Sequence, residues 1–533
     1  MNIRLAVCVA TLEDVMRVST ASASGKSNRR LLACVSALAA LLGSGPALAA
    51  PDQDLALVNR LTWGQSVSSV AAFKRLGFER WLNQQLHPQP TDALPPPAQA
   101  EINALPISHT PMATLVVYMD TQNKAAGVIA DPDQRKAAYN LYQTAMTDLA
   151  RQAATRSLLR DLYSPDQLQE QMTWFWFNHF NVHVYKRDIR AMIGDYEDQA
   201  IRPHALGRFR DLLEATLRHP AMQRYLDNDQ NAVGHINENY AREIMELHTL
   251  GVGSGYTQKD VQELARILTG VGVDIAPNPP NLKPELRPLY LRAGLFEFNP
   301  ARHDFGDKVF LGYTIHGTGP GAGFGEVEQA LDILCRQPAT AHHISLQIAT
   351  YFLGDQPPPA VVDRMADTFR RTDGDIAEVL NTLFHAREFA ASRGQMFKDP
   401  VHYAVSAVRL AYDDQVILNT GPIQSWLNRM AEGLYNHETP DGYAMASSAW
   451  NGPGQLAVRF EIARQIGQGS AGLFKPDGQG AQDHPAFPQV QNGLYYGGLS
   501  DTLSVPTRTA LGQAVSPQDW NTLFLSSPEF MRR

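Results

Sequence analysis

Apolar residues recur at helical spacing through most of the 533-residue chain, and this pattern sets its fold class. Residues 141–163 and 165–185 are predicted to form long helices, and the second is dense in aromatic side chains. Thr257 and Asp260 have the spacing of a capping box, which predicts a helix start at that point. Further helices are predicted at 206–226, 237–250, 326–336, 340–354, 361–371 and 376–384.

One segment breaks the helical pattern. Phe296 and Phe298 alternate with polar neighbours, and a turn and a second short apolar run follow. We therefore expect a small β insertion at about 290–315 and, from about Gly433, long ordered loops rich in Gly, Pro, Asn and Gln with a few helices among them. The predicted fold class is mainly α: a multi-helix globular domain with one small β insertion and long C-terminal loops.

The first 49 residues are typical of an export signal. Arg29 and Arg30 precede the apolar run 31–42, and a small-residue site ends at Ala49. Cleavage near Ala49 predicts a periplasmic or secreted protein, with residues 50–533 as a single helical domain. No later segment has 18 uncharged apolar residues, so we expect no transmembrane segment in the mature chain.

Charge and cysteine content argue against several kinds of ligand and structural site. Removing residues 1–49 takes away five basic and two acidic residues and changes the formal net charge from −8 to −11. An exported acidic protein is not expected to bind nucleic acid. Only Cys335 remains, which excludes an intrachain disulfide and a thiolate metal cluster.

The stretch 225–253 gathers the most ionisable groups. In an α-helix at about 100° per residue, Asn239, Glu243 and Glu246 fall within roughly 60° on one face, whereas His248 points well round the helix. Two carboxylates one turn apart suit acid/base chemistry or a hard cation. The alternative is that Arg242 pairs with them.

Histidines near this stretch suggest metal chemistry. His179 and His183 are one turn apart and could ligate a transition metal, although a buried histidine more often donates to a carbonyl. A combined site of His179, Glu243 and Glu246 requires the two helices to face each other, and one divalent metal ion is its expected cofactor.

Two other polar segments contain candidate functional residues. Asp227, Asp229, Asn231 and Glu238 occupy calcium-ligand positions of an EF-hand-like loop, but Ala232 stands where the loop needs Gly, so these residues are also expected to organise only a turn. A predicted turn in the β insertion carries a further set of polar residues, His303, Asp304 and Lys308.

These segments resemble the bacterial family catalogued as domain of unknown function 1800. The resemblance rests on "WFNHF", "NENYAREIMELHTLGVGSGYTQKDVQELARILTG", "HDFGDKVFLG" and "PDGYAMASSAW", and covers nearly the whole mature chain. It implies an exported, helix-rich protein whose genes often accompany those of another exported family. The matching positions are Asn178, His179, Asp227, Asn228, Asn237, Glu238, Asn239, Arg242, Glu243, Glu246, His303, Asp304 and Lys308, whereas His183 and Asp229 are particular to this chain.

The functional hypothesis follows from residue types. We expect a hydrolase or lyase with a carboxylate/His centre between the "WFNHF" and "NENYAREIMELH" helices, with "HDFGDK" reaching in, acting on a polymer or small molecule with or without a metal. The catalytic candidates are Asn178, His179, Asn239, Arg242, Glu243, Glu246, His303, Asp304 and Lys308. The alternative is a non-catalytic envelope or interaction protein, with an exported protein partner, whose polar residues form a buried structural network.

Overall fold

A computed structural model describes residues 53–89, 93–476 and 486–533. The predicted signal segment and its cleavage near Ala49 lie outside the described residues. Within those residues, no helix is both long enough and apolar enough to cross a membrane.

The N-terminal half is built almost entirely from helices. The predicted helix at 141–163 begins earlier, at Pro132, because Asp131 caps its first turn by accepting from the Gln134 amide at 2.9 Å. The helices of this half are α1 Gln53–Leu61, α2 Val67–Leu76, α3 Phe78–Leu86, α4 Pro96–Ala104, α5 Met112–Gly127, α6 Pro132–Tyr163, α7 Gln167–His179, α8 Phe209–Arg218, α9 Pro220–Tyr225, α10 Asn239–Glu243 and α11 Gln258–Ile267.

Two small antiparallel sheets follow α11. The first has the order β1-β3-β2, from Val271–Val273, Phe296–Phe298 and Leu291–Ala293. The second pairs β4, Lys308–Phe310, with β5, Tyr313–Ile315. The predicted β insertion is therefore present, and it is joined by a strand at Val271–Val273 that lies outside the expected 290–315.

Helices resume after the sheets. The predicted helix at 376–384 matches α15, and the expected C-terminal loops are interrupted by three helices of eight residues or more. The labelled helices of this half are α12 Phe324–Arg336, α13 Pro338–Leu353, α14 Pro359–Arg371, α15 Ile376–Phe384, α16 Arg387–Ala391, α17 Pro400–Tyr412, α18 Gly421–Arg429, α19 Pro453–Gly467, α20 Val505–Gly512 and α21 Pro517–Leu525.

Two helices form the centre of the core. Every residue of α17 is buried. In α7, all residues from Gln167 to Phe177 are buried except Gln169. A helix buried on all sides needs an apolar surface all round, which the aromatic run of α7 supplies.

Buried arginines satisfy carbonyls at helix ends. A helix leaves its last four carbonyls without partners inside the helix. Arg409 donates to the carbonyl of Leu162 at the end of α6, and Arg60 donates to that of Phe352 near the end of α13. Arg533 donates to the adjacent Tyr351 carbonyl at 3.0 Å. These side chains join helices that are distant in sequence without needing carboxylate partners.

Candidate functional site

The polar stretch after α9 folds as a short helix followed by a π turn. α10 begins at Asn239, and residues Ile244–Thr249 form the π turn. The Thr249 hydroxyl donates to the Ile244 carbonyl at 2.7 Å, five residues earlier. The uniform α-helical spacing assumed for Glu243, Glu246 and His248 therefore fails, because the π turn contains an additional residue.

The start of the helix also differs from the prediction. The helix was expected to begin at residue 237, but the Asn237 side chain accepts from the Asn239 amide at 3.0 Å and so closes a turn just before the helix. Asn239 itself is exposed, and its side-chain amide donates to the Leu226 carbonyl at 3.2 Å.

Arg242 holds one of the two expected carboxylates. Its guanidinium lies 3.2 Å from Glu246 and 3.3 Å from Glu238, both one turn away. Glu246 also affects Tyr256. Partial burial, and then the hydrogen bond with Glu246 and the charge of that residue, raise the pKa of Tyr256 to about 12. Glu246 thus has partners, and a surface pair of this kind contributes only about 0.3–0.5 kcal/mol.

Glu243 differs from its neighbour. It is half-buried, and no hydrogen bond or ion pair within the described part of the chain involves its side chain. Burial, and then the nearby charges of Glu246 and Asp441, raise the pKa of this carboxyl, although Arg242 opposes the shift. A half-buried carboxyl with a raised pKa and no protein partner is a candidate for acid/base chemistry.

Asn178, near the end of α7, holds a loop through hydrogen bonds. Its side-chain amide donates to the Tyr443 carbonyl at 2.9 Å and accepts from the Tyr443 amide at 2.6 Å. Gly442 allows the close approach, since a Cβ there would lie 2.2 Å from the Asn178 carbonyl oxygen. Asn181 donates to the carbonyls of His437 and Thr439 at 3.1 and 2.8 Å.

The loop held in this way, residues 436–443, carries its own polar groups. The Thr439 hydroxyl lies 3.0 Å from His437 Nε2 and 2.5 Å from Asp441 Oδ1. Tyr225 donates to the Glu438 carbonyl at 2.7 Å, and its own pKa is raised by burial and then by the charge of Glu243. Tyr225 therefore lies close to both the loop and Glu243. Sequence analysis missed His437 and Asp441, although "NHETPDG" is a polar turn sequence.

A groove runs along this loop, formed by two adjoining cavities of about 360 and 210 Å³ that share Asn428 and Asn436. The larger cavity is lined by the loop itself, including His437, Thr439 and Tyr443. The smaller extends to Tyr185 and Gln424.

His179 reaches the π turn but binds its backbone. Its Nε2 lies 3.1 Å from the His248 carbonyl, and His343 Nε2 lies 3.1 Å from the adjacent Leu247 carbonyl. Both imidazoles therefore cap carbonyls near the helix end, and each donates from Nε2. Burial, and then the nearby His343, lower the pKa of His179 to about 3, so the ring is neutral. The two predicted helices do meet, through a carbonyl rather than through a carboxylate.

His248 is fully buried between these rings. Neither ring nitrogen has a hydrogen-bond partner within the described residues. Its ring centroid lies 6.0 Å from that of His179 and 4.9 Å from that of Phe180. Burial lowers its pKa well below the usual value. The other member of the predicted pair, His183, packs against Tyr185 instead.

The EF-hand-like segment forms a turn stabilised by side chains. Asp227 pairs with Lys186 at 2.8 Å, and Asp229 pairs with Arg187 at 2.8 Å. Asn231 donates to the Ala265 carbonyl at 2.8 Å. The remaining polar members of the segment bond to backbone or to neighbouring side chains: Asn228 to Val271, Asn237 to Asp227 and Glu238 to Arg242. These contacts correspond to the alternative in which the residues organise a turn.

The "HDFGDK" residues form a separate buried network. His303 Nε2 lies 3.0 Å from Glu326, and Lys308 binds the other oxygen of the same carboxylate. The Asp304 carboxylate lies 2.8 Å from Arg266 Nε. The side chains of His303, Lys308 and Glu326 are wholly inaccessible, and none of their hydrogen bonds reaches Glu243. These contacts join the second sheet to α12 rather than extending the centre at Glu243.

A second buried centre, around His402, was not expected from the sequence. His402 Nδ1 lies 2.6 Å from Asp399, and burial and then Arg533 lower its pKa to about 4. Burial and the charge of Asp399 raise the pKa of Glu432. A cavity of about 20 Å³ beside these groups is large enough for one water molecule.

Across residues 53–89, 93–476 and 486–533, no three His, Cys, Asp or Glu side chains form a group that could hold a metal ion. The divalent metal assigned to His179, Glu243 and Glu246 therefore stays a prediction, and the acid/base chemistry of Glu243 does not depend on it.

The fold and the site define a mainly α, globular protein with two small sheets and a half-buried carboxyl without a protein partner in the described chain. The chain belongs to the DUF1800 family, described as a protein of unknown function, whose model matches residues 56–532. No curated protein and no solved structure matches the chain.

Proposed function

We propose that the protein is an exported enzyme of the hydrolase or lyase type in which Glu243 is the acid/base group. The observation that carries this proposal is the state of Glu243: half-buried, without a protein partner in the described chain, and with a raised pKa. A structural carboxylate in such a position would be expected to have a cation or amide partner.

The neighbouring groups have complementary roles in this proposal. Arg242 pairs with Glu246, and the charges of Glu246 and Asp441 favour the protonated form of Glu243. Acid/base enzymes commonly use carboxyl groups whose environments separate their pKa values in this way. Asn178 positions the loop that carries Asp441, and His179 positions the end of the π turn.

The remaining candidates contribute less directly. Asn239 stands exposed at the start of α10, while His303, Asp304 and Lys308 stabilise the sheet behind α11. A divalent metal would add charge stabilisation at His179, Glu243 and Glu246, and elemental analysis of the purified protein would detect it.

The alternative is a non-catalytic envelope or interaction protein. A specific observation favours it: His179, His303 and Lys308 all bond to groups of the protein itself. Side chains that are saturated by the fold support a structural network rather than chemistry.

A Glu243→Gln variant separates the two functions. The probes are 4-nitrophenyl esters, 4-nitrophenyl glycosides and polysaccharides assayed for new reducing ends, with metal content measured in parallel. The enzyme hypothesis predicts loss of turnover and a change in unfolding free energy within about 0.5 kcal/mol, because Glu243 has no partner to lose. The control is Glu378→Gln, an exposed carboxylate on α15.

The structural hypothesis predicts the opposite pattern. Glu243→Gln would then destabilise the fold, and no probe would be turned over faster by the wild type than by the variant. That result would reject the proposed acid/base role.

A further inference from the structure

The groove along residues 436–443 has a mixed polar and apolar lining. Three side-chain amides and two threonine hydroxyls line it, Tyr185 and Tyr443 add aromatic rings, and alanine, valine and leucine side chains supply an apolar part. Its two charged lining residues, Arg151 and Glu438, have opposite sign, so the groove has no net formal charge. Such a surface offers hydrogen bonds in many directions and flat apolar faces, but no site for a strongly charged ligand.

Two of these residues are directed towards solvent. Tyr185 is 54 % exposed, so part of its ring is open to solvent. Asn436 is exposed, and no hydrogen bond of its side chain occurs within the described residues. An aromatic face and an amide with free donors and acceptors are therefore both accessible to a ligand.

The groove wall also has an unusual backbone. Ala431 and Tyr435 have φ values of 64° and 63°, in the left-handed region that residues other than glycine rarely adopt. Backbone strain of this kind costs about 1–3 kcal/mol and concentrates at ligand sites. Asn428 and Asn436, which flank the strained segment, line both cavities.

The dimensions favour an elongated ligand. The larger cavity, of about 360 Å³, is within the range of about 300–1,000 Å³ typical of small-molecule sites. The second cavity continues it through the shared Asn428 and Asn436. A single small solute would fill only one end of this space.

We propose that the groove binds an uncharged polysaccharide chain and places one of its linkages near Glu243, an inference that rests on the proposed function. Amides bind the hydroxyl groups of such a chain, and Tyr185 and Tyr443 pack against the apolar faces of its rings. An anionic polymer is disfavoured, because the carboxyl groups of Glu246 and Asp441 lie near Glu243.

The reaction is hydrolysis of a glycosidic bond. Glu243 gives its proton to the bridging oxygen as the bond from that oxygen to the anomeric carbon breaks. A water oxygen bonds to the same carbon, and its released proton passes to the side chain of Asp441. One water is consumed, and proton exchange with solvent restores both carboxyl groups.

Binding and turnover are tested separately. The wild type and Glu243→Gln are compared by affinity electrophoresis. The gels contain one of five neutral polymers: laminarin, hydroxyethyl cellulose, xylan, soluble starch or glycol chitin. A gel containing alginate serves as the anionic comparison. We expect at least one neutral polymer to retard both proteins. Tyr185→Ala and Asn436→Ala should weaken that binding at least tenfold, whereas Tyr118→Ala, which alters an equally exposed tyrosine on α5, should not.

The outcomes distinguish the two proposals. Retardation of both proteins, with reducing ends released only by the wild type, supports both. Retardation without release by the wild type supports the ligand class and rejects hydrolysis at Glu243. No retardation by any neutral polymer, equal retardation of the groove variants, or stronger retardation by alginate overturns the polysaccharide inference.

Discussion

The buried His303–Glu326–Lys308 network gives the sharpest test of how the fold is stabilised. Glu326 accepts from His303 Nε2 and from the Gly323 amide, each at 3.0 Å, and it binds Lys308. A Glu326→Gln substitution keeps the shape and removes the charge. Lys308 would then be a buried cation whose remaining partner is the Asp304 carbonyl.

The expected cost follows from that loss. Removing one partner of a buried ion pair costs roughly 3–5 kcal/mol, because the other charge stays buried without compensation. Unfolding entropy is about 2.1 cal/mol/K per residue, or about 1 kcal/mol/K for a body of about 480 residues. The melting temperature should therefore fall by about 3–5 °C, measured by circular dichroism.

A double variant tests the reason for the loss. Lys308→Met combined with Glu326→Gln removes both charges and should recover at least 2 kcal/mol of the free energy lost by Glu326→Gln alone. Equal stability of the wild type and Glu326→Gln would refute the reasoning, as would a double variant no more stable than the single one.

The pH dependence adds a second measurement. Burial alone would raise the pKa of Glu326. His303 and Lys308 donate hydrogen bonds to this carboxylate, and these bonds together with the two charges bring its pKa below the usual value. A depressed carboxyl pKa contributes stability above the unfolded-state pKa, and this contribution is lost as the pH falls through the folded-state value. The difference between the wild type and Glu326→Gln should therefore shrink below about pH 4.

Three further substitutions have defined outcomes. The pKa of His248 is depressed, so its contribution to stability is complete above about pH 6.5 and declines as the pH falls. His248→Leu should therefore reduce the slope of unfolding free energy against pH. Between pH 6 and 5 the expected reduction is about 1.4 kcal/mol per pH unit, measured by urea unfolding. Gly251→Ala should destabilise by at least about 1–2 kcal/mol in thermal unfolding, because φ is +86° and the new Cβ would lie 2.9 Å from His343 Nδ1. Asn178→Ala should cost about 1–3 kcal/mol and speed hydrogen exchange at the Tyr443 amide, and an unchanged exchange rate would contradict its positioning role.

Helix positions were predictable where the signal is local. The capping box of Thr257 and Asp260 is present, and α15 has its predicted bounds, because caps and apolar periodicity are written in neighbouring residues. The strand at Val271–Val273 was missed because three residues are too few to show a period. Its pairing with Phe296–Phe298 is a long-range contact that no local pattern encodes.

The centre was harder to predict than the fold. Sequence spacing brought Glu243 and Glu246 together but could not reveal a π turn, since α and π turns share the same composition. It also could not show that Arg242 pairs with Glu246 and leaves Glu243 without a partner. The contact between His179 and the His248 carbonyl depends on the packing of two separate segments, as does the position of Asp441.

The way in which the groove loop is attached affects which of its residues can change. Asn178 and Asn181 bind main-chain groups of Tyr443, His437 and Thr439. Substitutions of the exposed loop side chains, such as Glu438 and Thr439, therefore leave these anchoring contacts in place. The exposed side chains of this loop can therefore change while the helical body keeps its packing.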